Sequence, residues 1–223
     1  MEVRQVMFAA TRSVIEVSGI LMRPDHAKWI YVLAHGAGAG MMHPFLETIA
    51  NGLAERGVAT FRFQFPFMEQ GRRPPNRPSV LTKTIRSAVR TAAELAPGLR
   101  IIAGGKSMGA RMTSIAYSES PIEAVEGLVF LGFPLHAPGR DSGNRGQHLR
   151  QVNVPMLFLQ GTRDKLANLK LLQPLCDSLD GYATLHILES GDHSFKPLKR
   201  SGRTYDEVMT EAQTTLVSWI KER

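Results

Sequence analysis

Short apolar runs alternate along the chain with longer stretches in which apolar residues recur every three to four positions. Trp29–Ala34 (WIYVLA) is nearly all apolar, as a strand buried on both faces should be. Segment 44–56 has Phe45, Ile49 and Leu53 one helical turn apart, and Gly57 ends it. Segment 58–64 (VATFRFQ) alternates, with Ala59, Phe61 and Phe63 on one side. Further strands are expected at 100–103, 127–131, 156–160 and Ala183–Leu188, and helices at 80–95, 108–118, 169–179 and 204–221. The last helix carries Val208, Ala212, Leu216 and Ile220 on one stripe. Segments 3–8 and 14–22 read as a strand pair. Four prolines, a glycine and three arginines in 65–79 predict a loop, with Ser79 capping the helix after it. The alternation predicts an α/β fold: a mostly parallel central sheet with helices on both faces, in one domain spanning 1–223.

One turn in this pattern carries chemistry. Gly105-Lys106-Ser107-Met108-Gly109 lies between an apolar strand and a helix, matching G-x-S-x-G in the strand–turn–helix context of a nucleophile elbow. Such a turn holds the serine in a strained backbone conformation and leaves room only for glycine on either side. The helix N-terminus behind it offers amide donors, and the Met108 N–H is the expected oxyanion donor. Gly105-Lys106-Ser107 also echoes the end of a phosphate-binding loop. That motif needs a glycine at position 100, where Arg100 stands inside the strand, so the match fails.

Three further segments follow strands and so belong at the same edge of a parallel sheet. His35-Gly36-Ala37-Gly38-Ala39-Gly40 lets backbone approach a substrate; the second oxyanion donor is assigned to the Ala37 N–H, with Gly38 as the alternative. A dinucleotide reading of this loop fails, because Met41 and His43 occupy the positions where G-x-G-x-x-G needs glycine. Gly161-Thr162-Arg163-Asp164 supplies an acid, and Gly191-Asp192-His193-Ser194-Phe195 a base. The order Ser107, Asp164, His193 is that of an α/β-hydrolase triad. Asp192 is a rival acid, but a chain neighbour usually points away from the imidazole, so Asp164 is preferred.

Composition changes this picture little. The chain has 223 residues, 43% hydrophobic and 21% charged, enough for one core. No apolar run approaches a membrane span, and the N-terminus lacks the continuous apolar stretch of a secretion signal. Cys176 is the only cysteine, which excludes an internal disulfide and suits a reducing compartment; the expected location is cytoplasmic. The net charge of +7 invites a nucleic-acid reading, but no nucleic-acid motif accompanies it. Arg72, Arg73 and Arg77 follow a sheet strand, and Lys106 and Arg111 flank Ser107. Two readings stand for them, a site for an anionic substrate or a set of surface charges. Phe65, Phe67, Met68, Met41 and Met42 follow strand ends as well, where packing is their commoner role.

The strings LAHGAGAG (33–40), FRFQFPFMEQGRRPP (61–75), GGKSMGARM (104–112), LGFPLHAPG (131–139), FLQGTRD (158–164) and GDHSF (191–195) resemble the α/β-hydrolase superfamily near its dienelactone-hydrolase-like branch. More narrowly, the chain is similar to a family of short α/β-hydrolase-like proteins. That family includes testis-expressed protein thirty, and a related domain occurs in a regulatory subunit of the NSL histone acetyltransferase complex. The narrower likeness rests on the lysine before the serine, the Arg-Pro loop and PLHAPG. The resemblance implies Ser107, Asp164 and His193 as catalytic triad and Met108 and Ala37 as oxyanion hole. Gly38, Arg72, Arg73, Lys106 and Arg111 are the substrate-binding candidates. It implies a serine hydrolase acting on an ester, thioester or lactone, with no cofactor and no metal. The alternative is a scaffold or binding protein that kept the fold and lost efficient turnover. The expected partner is a small acyl substrate, anionic if the basic residues serve it, with neither nucleic acid nor membrane. The expected state is a monomer or small homo-oligomer. Residues 132–154 are too few for the helical cap domain that many larger hydrolases insert between these strands.

Overall fold

The structure, a computed structural model, describes residues 1–11 and 15–223. Eight strands form one sheet in the order β1-β2-β4-β3-β5-β6-β7-β8. They are β1 (Glu2–Ala9), β2 (Glu16–Arg23), β3 (Trp29–Ala34), β4 (Val58–Phe63), β5 (Arg100–Lys106), β6 (Val125–Leu131), β7 (Met156–Gly161) and β8 (Ala183–Leu188). β1 pairs antiparallel with β2, from Glu2 opposite Arg23 to Ala9 opposite Glu16. β2 is antiparallel to β4, and every pairing from β4 through to β8 is parallel. The predicted strand pair is present, although the expected start of its second strand, position 14, lies outside the described residues.

Six α-helices among the described residues cover the sheet: α1 (Pro44–Ala54), α2 (Pro66–Glu69), α3 (Pro78–Leu95), α4 (Met108–Glu119), α5 (Leu169–Asp177) and α6 (Tyr205–Lys221). Strand residues alternate between two cores because successive side chains point to opposite faces. Ile30, Val32, Phe61, Phe63, Ala103 and Phe130 pack on the α3–α4–α5 face. Tyr31, Leu33, Ile102, Val129 and Leu157 pack on α1 and α6. Each fully buried phenylalanine contributes about 2 kcal/mol relative to an exposed one. α6 starts at a capping box, Thr204 and Glu207 each bonding the other's backbone amide. Its Gln213 donates to the Thr48 carbonyl at 2.9 Å, in a space that any side chain on Gly52 would fill.

Segment 65–79 departs from the expected loop at both ends. Pro66 begins α2 and Pro78 begins α3, each at the first helical position, where a proline has no N–H to lose and a suitable φ. Two of the four prolines read as breakers are therefore starters, while Pro74 and Pro75 lie in the loop as expected. Ser79 consequently lies inside α3, whose cap position is Arg77. The 132–154 stretch contains only a short 3₁₀ segment, Asn144–Gln151. Among the described residues no helical cap domain covers the sheet edge, as the length of this stretch predicted.

Candidate active site

Ser107 stands between β5 and α4 with φ 53° and ψ −112°, a conformation a non-glycine residue adopts only under constraint. Its N–H donates to the Leu131 carbonyl at 3.2 Å, so the turn stays pinned to β6. A Cβ on Gly105 would stand 2.2 Å from the Ala34 carbonyl oxygen, and one on Gly109 2.5 Å from the same atom. The two motif glycines thus let β5 and α4 close on the end of β3. Met108 opens α4, so its N–H belongs to the helix's first turn, whose amides have no intrahelical partner.

The loop after β3 lies against this elbow. A Cβ on Gly36 would be 3.7 Å from Ser107 Cβ, and Gly36, Ala37, Gly38 and Ala39 line a cavity of about 400 Å³ together with Ser107 and His193. His35 anchors the loop from below. It is fully buried, donates from Nδ1 to the Gly36 carbonyl at 2.7 Å and accepts at Nε2 from the Phe65 N–H at 3.0 Å. Burial lowers its pKa to about 4, so near neutral pH it is the neutral tautomer these two bonds require. Sequence reasoning saw His35 only as part of a string. Its signal was a histidine at the junction of a buried strand and a Gly-rich turn.

Asp164 and His193 meet directly. His193 Nδ1 lies 2.7 Å from Asp164 Oδ2, and the Asp164 side chain is wholly buried. The same oxygen accepts from Gln160 Nε2 at 2.6 Å, while Oδ1 accepts from the Leu166 N–H at 2.8 Å. Gln160 is itself fully buried, and its Oε1 accepts from the Phe133 N–H at 2.9 Å. A buried carboxylate needs such donors to be held ionised. Gln160 is the second residue sequence reasoning missed; a glutamine in the apolar run MLFLQ, four positions before an acid, was the available clue. Asp192, the rival acid, is turned to its own loop: Oδ1 accepts from the Ser194 and Lys196 amides at 2.8 and 3.0 Å. Among the described residues no hydrogen bond joins Ser107 Oγ to His193, though both face one cavity. Catalytic hydrogen bonds are often long without a ligand and tighten around one.

The basic candidates separate. Lys106 lines the cavity and donates from Nζ to the His193 carbonyl at 2.6 Å. Arg72 and Arg73 are exposed and outside the cavity lining, with Arg72 bonded to Gln70. Arg111, one turn into α4, is also outside the lining; it is half-buried near Arg145. Phe65, Phe67 and Met41 are buried and outside the cavity lining; the two rings pack against His35. Among the described residues no cluster of three metal-ligand side chains occurs, and no helix is long and apolar enough to cross a membrane.

A family model described as "Alpha/beta hydrolase domain" matches residues 27–221. Among solved structures, a dienelactone hydrolase from Anabaena variabilis superposes with a TM-score of 0.78 at 19% identity, covering 100% of this chain and 99% of that one. A serine hydrolase without lid from Xanthomonas campestris gives 0.75 at 18%, covering 98% and 95%. An esterase from Pyrococcus furiosus gives 0.75 at 16%, covering 99% and 91%. At these identities the likeness is one of fold.

Proposed function

We propose that this chain, which belongs to the alpha/beta hydrolase family, is a serine hydrolase that cleaves an ester, thioester or lactone of a small acyl substrate. The observation that carries this reading is the buried Asp164 carboxylate on His193 Nδ1, with Ser107 held in a strained turn at the same cavity. Ser107 Oγ attacks the acyl carbon as His193 Nε2 takes its proton, giving a tetrahedral intermediate. That intermediate's oxyanion is met by the Met108 and Ala37 N–H groups; losing one such donor typically costs about 3 to 4 kcal/mol in the barrier. His193 returns the proton to the leaving oxygen or sulfur, leaving an acyl-Ser107 ester. Water, deprotonated by His193, then releases the acid and restores the hydroxyl. Asp164 fixes the imidazole tautomer and stabilises the imidazolium. The chemistry needs no cofactor, and we place the chain as a single cytoplasmic domain working alone or as a small homo-oligomer. The narrower kinship, with the short hydrolase-like family of testis-expressed protein thirty, belongs to the same proposal and rests on the strings around Lys106, the Arg-Pro loop and PLHAPG.

A fluorophosphonate probe followed by peptide mass spectrometry tests this. Rapid adduct formation on Ser107, abolished in Ser107→Ala and in His193→Ala, is the expected result. Folded protein that takes up no probe would remove the hydrolase reading and leave the scaffold alternative.

A further inference from the structure

Lys106 is the one cation among the basic candidates that reaches the cavity. Its side chain leaves the end of β5 and passes Gly36, where a Cβ would stand 3.9 Å from Lys106 Cγ. The ammonium arrives beside Gly132, where a Cβ would lie 3.0 Å from Nζ; only the left-handed glycine turn at φ 69° keeps that space clear. The rings of Phe45 and Phe195 flank it, with centroids 5.4 and 5.9 Å from Nζ. Among the described residues its one hydrogen bond goes to the His193 carbonyl, and no carboxylate forms an ion pair with it. An ammonium has three donors. Two are left over beside the Phe45 and Phe195 rings, whose faces attract the charge but give an N–H no strong acceptor. His43, which caps α1, and Phe45 and Leu46 in its first turn form part of the same wall, and the positive end of that helix adds to the field of the ammonium.

We propose that Lys106 is the specificity-determining residue of this site, and that it selects short acyl groups ending in a carboxylate, which take its two remaining N–H donors while their ester carbonyl faces Ser107. The inference rests on the hydrolase reading for its reaction, but the recognition step is separable. Desolvation lowers the Lys106 pKa to about 8, with the Asp164 and Asp192 carboxylates opposing the fall, so the group is charged at neutral pH and easily neutralised above it. His193 and His43 are the other titratable groups lining the cavity.

The test pairs monomethyl succinate with methyl butyrate, which match in length and differ in the terminal charge. The protein should favour the succinate ester in kcat/KM by tenfold or more at pH 7. Lys106→Met should lower that ratio at least tenfold, since a charge-assisted hydrogen bond has been lost. Loosening of the His193 loop would slow both esters alike and leave the ratio where it was. Lys106→Gln keeps a donor for the His193 carbonyl without the charge, and should lose the preference too. Binding is measured separately in the Ser107→Ala background by calorimetry. Monomethyl succinate should bind at least tenfold more tightly there than in Ser107→Ala/Lys106→Met. Turnover without preference, or equal binding in the two backgrounds, would overturn the role of Lys106. Preferential binding without turnover would uphold it and remove the hydrolase reading instead.

Discussion

Helix α4 carries two serines that face histidines, and the protein treats them in opposite ways. Ser107, at the N-terminal cap position, has a left-handed backbone, opens onto a cavity and shares it with His193, whose far nitrogen holds a buried carboxylate. Ser114, two turns on, has helical backbone, is fully buried and lies 2.7 Å from His148 Nε2. By distance alone the second pair is the better Ser–His couple. Its surroundings cancel that advantage. The Ser114 hydroxyl also lies 2.9 Å from the Arg111 carbonyl and has only one proton to give. Burial and the Arg111 charge together lower the His148 pKa to about 4, opposing the imidazolium a general base must become. A serine is made reactive by exposure, by a base and by an acid behind that base. The Ser114–His148 pair instead joins α4 to the 3₁₀ segment that stands where other hydrolases carry a cap.

The contrast breaks most sharply at the two hydroxyls. Ser107→Ala should lower kcat on any ester the protein turns over by roughly a millionfold, as removal of a triad serine does elsewhere. Ser114→Ala should leave probe labelling of Ser107 intact. If Ser114→Ala alone abolished labelling in a folded protein, the assignment of the two pairs would be reversed. Asp164→Asn is the next largest effect. The amide keeps the shape but reverses the donor pattern facing Nδ1, so kcat should fall by roughly ten-thousandfold, with circular dichroism unchanged. A loss under tenfold would mean that Asp164 is not the group that orients His193.

The Ser107 side of this contrast was legible in the sequence, the Ser114–His148 side was not, and the difference has a physical reason. Ser107 was visible because strained turns need small neighbours: Gly105 and Gly109 both press on the Ala34 carbonyl. Asp164 and His193 were visible because parallel strands deliver their following loops to one edge. Two supporting side chains, Gln160 and His35, stayed hidden because each sits within or directly after an apolar run where periodicity reports burial and nothing else. Their hydrogen bonds reach Phe133 and Phe65 amides distant in sequence, and no local pattern encodes such partners. Segment 65–79 was misread at its ends for a related reason. Composition identifies prolines, but only position tells an interior breaker from Pro66 and Pro78 at a first helical turn.

The smallest effect probes the second pair through acid stability. His148 has an ordinary pKa near 6.5 when unfolded and about 4 in the folded protein. Between these values the unfolded chain holds more protons, so stability falls as pH drops. The contribution is fully present above about pH 6.5 and is lost by pH 4. His148 is only partly buried, so solvent screening reduces the expected loss to about 1 to 2 kcal/mol. His35 titrates over the same window, its pKa also lowered to about 4, and adds to the slope in the parent protein. Replacing His148 by Gln removes one of these two titrations. Urea midpoints taken from pH 7 to pH 4 should therefore fall less steeply in His148→Gln than in the parent, while probe labelling of Ser107 at pH 7 stays the same. Parallel midpoint curves would mean that His148 takes up its proton over the same pH range folded as unfolded, and a hydrogen bond from imidazolium to Ser114 would then have to replace the neutral pair as the pH falls through that range. A loss of labelling would tie His148 to the cavity, and the two ends of α4 would no longer be independent.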